Sequence, residues 1–124
     1  TIICSGMMVK PSLKAAEMLR KEGVRPRVLN MHTLKPVDAE TIIRAARETG
    51  AIVTAENHSV LNAWGSAVAE VVTEHCPVPV FRIGIQDHFG EVGKSDFLME
   101  KYHMTTQDIV HAAYAVMDKK RERR

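Results

Sequence analysis

Val80-Phe-Arg-Ile-Gly-Ile-Gln-Asp-His-Phe-Gly-Glu-Val-Gly93 is an apolar run that opens straight into a polar loop carrying Asp87, His88 and two glycines. The run reads as a buried strand, and the loop as its C-terminal exit. On α/β folds function collects at such exits, because the sheet is rigid there and the loop is free to carry chemistry. Three more segments of the same kind lie upstream: Thr1–Ser5, Arg27–His32 and Ala51–Ala55. Each is short, aliphatic or β-branched, and followed by a helical pattern.

Between these strands the period changes from two to 3.6. Leu13, Ala16 and Leu19 share a face over Pro11–Lys21, and Gly23 stops that helix. Asp38 can cap a helix with Ile42, Ile43 and Ala46 inward, closed by Gly50. A third helix carries Val68, Val71 and Val72 to His75, with Pro77 and Pro79 preventing its continuation. The last begins at Thr105-Thr-Gln-Asp108, a capping-box-like start, and turns Ile109, Val110, Ala113 and Met117 inward. Strands alternating with helices of this length indicate βαβ units and a mainly parallel sheet covered on both faces. The fold class expected is α/β, a three-layer α/β/α sandwich, with right-handed crossovers favouring a strand order such as 2-1-3-4. Residues 1–117 form the domain, and 118–124 are set apart as a basic tail.

The bulk properties remove several function classes. The 124 residues carry a net charge of +2, but the last seven hold five basic and two acidic groups, so the rest has no basic excess. Nucleic-acid binding requires a basic face, and none is indicated. No apolar run approaches the ~20 residues of a membrane span. Cys4 and Cys76 are too few and too far apart for a disulfide framework. With a start that lacks the basic opening of a signal peptide, the expectation is a reduced, cytoplasmic protein. A chain opening in mid-strand on Thr also reads as a piece of something longer.

A parallel sheet gathers its strand C-termini on one edge. Here that edge receives Gly6-Met7-Met8, Asn30 and His32, Glu56-Asn57-His58 and Gln86-Asp87-His88. One reading is an acid–base pair of carboxylate and histidine. A second is a metal site of His32, His58 and His88, although no metal-ligand spacing is present. The third is that these groups cap loops and helices or contact a neighbouring domain. No dinucleotide fingerprint, phosphate cradle or nucleophile elbow occurs. Met7 and Met8 suit either a contact surface or the core.

Taken in order, five segments resemble the C-terminal domain of transketolase-type thiamine diphosphate enzymes over essentially the whole chain. They are Thr1-Ile-Ile-Cys-Ser-Gly6, Asn30-Met-His-Thr-Leu-Lys-Pro-Val-Asp38, Thr54-Ala-Glu-Asn-His-Ser-Val-Leu-Asn-Ala-Trp-Gly-Ser-Ala-Val68, Arg82-Ile-Gly-Ile-Gln-Asp-His-Phe-Gly-Glu-Val-Gly93, and the Thr105…Asp108-Ile109 ending. Phe89-Gly90 and Asn57-His58 look most like transketolases, the split bacterial ones in particular. Asn62-Ala63 departs from the glycine pair that relatives often carry there, which bears on the start of the following helix.

The resemblance implies that thiamine diphosphate and magnesium belong to the parent enzyme, held between two other domains, with no cofactor, metal or catalytic residue in this fragment. It implies a two-carbon ketol transfer between sugar phosphates, as in the pentose phosphate pathway, by an enzyme in which this domain supports a homo-oligomer and contacts other transketolase domains or a partner subunit. It also implies an antiparallel edge strand upstream of Thr1. Glu56, His58, Asp87, His88 and Phe89 are the expected interface or crevice residues. A deoxyxylulose-phosphate synthase domain, a 2-oxoacid dehydrogenase β-subunit docking module and a small-ligand binder remain alternatives.

Overall fold

A computed structural model describes residues 1–123. Its elements are β1 (Ile2–Cys4), a 3-10 turn (Gly6–Met8), α1 (Val9–Lys21), β2 (Val28–Asn30), α2 (Ala39–Thr49), β3 (Ile52–Ser59), α3 (Trp64–His75), β4 (Val80–Ile85), α4 (Ser95–Lys101) and α5 (Thr106–Glu122). The four strands form one all-parallel sheet in the order β2-β1-β3-β4. This is the doubly wound order expected from the alternation of strands and helices.

The pleat of β1 sorts the layers. Ile2 and Cys4 face a cluster with Ala15 and Leu19 of α1 and Ala112, Ala113 and Val116 of α5. Ile3 points the other way, into a cluster with Ile42 and Ala46 of α2 and Val68 and Val72 of α3. Successive strand residues point to opposite faces, so a strand buried on both sides must be apolar throughout. Each fully buried Ile or Leu contributes about 1.5–3 kcal/mol, and this pair of clusters is where the fold's stability is concentrated.

Local chemistry sets the helix ends as the sequence indicates. Asp38 accepts from the Thr41 amide at 3.0 Å, and Gly50 closes α2 at φ 68°. Thr105 and Asp108 form a reciprocal capping box at the head of α5. Such caps contribute about 1 kcal/mol each. Two elements differ from expectation. Helix α4 is not legible beforehand, because seven residues with none fully buried give no helical period. Helix α5 runs on through Glu122, into the residues set apart as a tail. Lys120 secures that end by donating to the Thr49 carbonyl at 2.8 Å. Arg124 lies outside the described residues.

One buried polar atom has no partner on the α3 side of the sheet. The Thr54 hydroxyl is sealed at 1% exposure without a hydrogen bond. An unsatisfied buried hydroxyl costs about 1–3 kcal/mol. Thr54→Val keeps the shape and removes that cost, so urea unfolding should show the variant more stable by about 1 kcal/mol.

Candidate functional site

Strand β3 emerges from the sheet at Glu56, on the face covered by α3. The residue that precedes α3, Ala63, has no side chain able to cap it. Glu56 supplies the cap from the neighbouring strand. Its Oε2 accepts from the Trp64 amide at 2.8 Å and its Oε1 from the Gly65 amide at 2.9 Å. The carboxylate therefore meets two of the free N–H groups and the positive end of the helix dipole. Glu56, expected at an interface or crevice, is 1% exposed, and both its oxygens are used within the chain. Burial raises its pKa above the ordinary 4.5, and the Gly65 and Trp64 amides, then His58 and Arg82, oppose that rise.

Two glycines make the close approach possible. A Cβ on Gly65 would sit 2.7 Å from the Thr54 hydroxyl and 2.9 Å from Arg82 Cδ. One on Gly84 would sit 2.7 Å from the His58 carbonyl oxygen. The loop from Ser59 to Ala63 is then tied down by side chains. Ser66 donates to the Val60 carbonyl at 3.0 Å and accepts from the Asn62 amide at 3.0 Å. Arg82 donates to the same Val60 carbonyl at 2.9 Å. Asn62 adopts φ 55°, a left-handed conformation that glycine takes freely and asparagine tolerates. This accounts for the departure from a glycine pair at this point: the backbone geometry is kept by a side chain that tolerates it.

The β4 exit is built differently. Asp87, His88 and Phe89 are all exposed, with Asp87 at φ 49°. The His88 ring lies against Tyr102 with centroids 5.2 Å apart, and Glu91 is paired with Lys101 at 2.7 Å. Between these two anchors on α4 and its end, Phe89 and Val92 stand free at 98% and 103% exposure. His58, on the neighbouring strand, is exposed beside its own Ser59 carbonyl. The structure thus places His58, Asp87, His88 and Phe89 on the surface of one sheet edge and takes Glu56 away from it. Val92 was not anticipated, although an apolar residue between Gly90 and Gly93 in a polar loop is a readable signal. Met7 is exposed and Met8 fully buried, which divides the two expectations for that pair.

The arrangement offers little reaction chemistry. Among the described residues no three His, Cys, Asp or Glu side chains are grouped to hold a metal. His32 instead meets the Thr33 hydroxyl at 2.7 Å. The one buried carboxylate faces amides, not open space. Helix α4 begins after the glycine loop at Ser95, and its N-cap residue Lys94 makes no side-chain cap. Among the described residues no side-chain set fits a cofactor's metal.

Comparison with known proteins gives a consistent result. The family described as "Transketolase, C-terminal domain" matches residues 1–109. The 6-deoxy-6-sulfo-D-fructose transketolase subunit SqwH of Clostridium sp. (strain MSTE9) is 51% identical over 120 residues, 97% of this chain and 37% of that protein. The 1-deoxy-D-xylulose-5-phosphate synthase of Heliobacterium modesticaldum is 40% identical over 126 residues, 99% of this chain and 19% of that one. A solved structure titled "Split gene transketolase, inactive beta4 tetramer" superposes with TM-score 0.92 at 46% identity, covering 96% of this chain and 39% of its own. The chain therefore spans from a fifth to two-fifths of the length of these relatives.

The Glu56 geometry carries a pH-dependent prediction. Glu56→Ala strands two amides and should cost about 2–3 kcal/mol in denaturant unfolding. The folded pKa is raised, so the folded state binds the proton more tightly, and the contribution of Glu56 is full below 4.5 and diminishes as pH rises through the folded value. The gap between wild type and Glu56→Ala should accordingly narrow from acid pH towards neutrality.

Proposed function

The chain belongs to the transketolase C-terminal domain family, and on that premise we propose that it is the supporting, non-catalytic portion of a split transketolase, joined to a partner through the exposed edge at the ends of β3 and β4. The observation that carries this reading is the 51% identity with a transketolase subunit across 97% of the chain, against only 37% of that protein. The parent reaction is the transfer of a two-carbon ketol unit between sugar phosphates. Thiamine diphosphate supplies the carbanion-stabilising chemistry when bound, and it and its magnesium are expected on other domains of the assembled enzyme.

The strand-end surface supports a docking role. An interface concentrates its energy in a few aromatic and aliphatic anchors that become fully desolvated. Phe89 and Val92 offer two such anchors, each worth about 1.5–3 kcal/mol on burial. The stack on Tyr102 and the Glu91–Lys101 pair hold the loop ready, which lowers the entropy lost on association. His58, Asp87 and His88 form its polar surroundings. The structural neighbour's title, an inactive tetramer of β chains, supports self-association of this chain without activity. Both cysteines are free, in keeping with a reducing, cytoplasmic compartment, and no described helix is long and apolar enough to cross a membrane.

The test is a ketol-transfer assay on the purified chain, alone and then mixed with the polypeptide that carries the cofactor-binding domains, with thiamine diphosphate and magnesium supplied. Silence alone and activity on mixing are expected; activity from the chain alone would overturn the reading. Pyruvate with glyceraldehyde 3-phosphate, run in parallel, would give turnover instead if the parent were a deoxyxylulose-phosphate synthase. In the same mixture Phe89→Ala should weaken association at least tenfold, about 1.4 kcal/mol, and leave the melting temperature of the chain unchanged.

A further inference from the structure

Strand β4 closes one side of the sheet, and no described strand pairs with its outer edge. The Ile52 and Val60 amides donate to the Pro79 and Ile85 carbonyls, each at 3.0 Å. Odd-numbered carbonyls of β4 therefore face β3, and the even-numbered Arg82 and Gly84 present theirs outward. A free row of this kind is a template for pairing with another strand. The run Val-Phe-Arg-Ile-Gly-Ile is the sort that pairs readily, being rich in β-formers with a single charge.

The usual protections are missing from this edge. A charged side chain commonly guards an edge strand. Arg82 cannot do so, because its guanidinium is drawn to the Val60 carbonyl and the Ser66 hydroxyl on the inner side. A covering helix is the other device, but Ala112 and Ala115 are small where α5 passes. They leave an open groove of about 500 Å³ along Phe81 and Ile83. What does meet the edge is Gln86. Its side chain turns back along the strand and its Nε2 donates to two of the outward carbonyls, Gly84 at 3.2 Å and Arg82 at 3.4 Å, leaving that of Val80.

We propose that Gln86 is an edge guard: its amide occupies the outward carbonyls of Arg82 and Gly84 and keeps a second copy of this chain from adding its own β4 there. The guard confines association to the loop beyond it, where Phe89 and Val92 stand. Antiparallel pairing of two β4 strands about Ile83 would set Arg82 opposite the partner's Gly84, so the strand has no like-charge clash to prevent self-pairing.

Sedimentation velocity over a wide concentration range tests this on the intact chain, with wild type as reference for whatever assembly it forms. Gln86→Ala should associate beyond the wild-type assembly at roughly tenfold lower concentration, about 1.4 kcal/mol. Gln86→Lys keeps a donor at the edge, adds a charge and should remain at the wild-type mass. Gln86 is exposed, so both variants should melt with wild type. A Gln86→Ala chain of wild-type mass throughout, or a Gln86→Lys chain that associates as Gln86→Ala does, overturns the proposal. Wild type alone gives a second reading: the Gln86 side-chain amide protons should exchange with solvent more slowly than a free amide, and free exchange would also overturn it.

Discussion

The bond on which this structure turns is the one from Glu56 to the first amides of α3. A carboxylate loses several kcal/mol of hydration on entering a protein interior, and burial alone would keep it protonated. Two amide donors and the end of a helix dipole offset that loss, with hydrogen bonds to a charged group worth about 1.5–3 kcal/mol each. A serine or threonine at position 63 would satisfy one amide and leave α3 free to shift along the sheet. A glutamate on β3 joins strand to helix and fixes their relative position. Gly65 and Gly84 are required by the same arrangement, since a side chain at either would push α3 or the β3 exit away from the sheet.

From that tether the rest of the edge follows. With α3 anchored, Ser66 and Arg82 can converge on the Val60 carbonyl and hold the loop between β3 and α3. Asn57 and His58 are left on the surface of a rigid strand end. The β4 exit is held from another side, by the His88–Tyr102 stack and the Glu91–Lys101 pair. The result is a surface with fixed walls and two unburied apolar side chains, a description that suits contact with another domain. Buried carboxylates with raised pKa values often mark active sites. Here the group is turned towards amides that stabilise its charge, and it has no substrate-facing side.

The layers and strand order were legible because they follow from period and alternation. Ile2, Ile3 and Cys4 had to be buried on both faces, and Asp38, Gly50, Thr105 and Asp108 had to end helices. The surface was only half legible. Placement at a strand exit brought His58, Asp87, His88 and Phe89 to the edge, but it could not show that the Glu56 side chain points inward. That depends on the pleat, which puts Thr54 and Glu56 on the α3 face, and on the absence of a cap at Ala63. Helix α4 escaped notice because it is a single short stretch resting on the core by Leu98 and Met99 alone. Charge alone does not show that α5 extends through the basic end, because the contact that secures it, from Lys120 to Thr49, spans 71 residues of sequence.

Glu56 is an internal cap on which the strand-end edge is built, with both its oxygens turned to the first amides of α3. An NMR titration of the Glu56 side-chain carboxyl, followed together with the Trp64 and Gly65 amides, reaches it most directly. One transition with its midpoint above 4.5 is expected, in which the carboxyl signal and both amide signals move together. A carboxyl that titrates while the two amides stay still would contradict it.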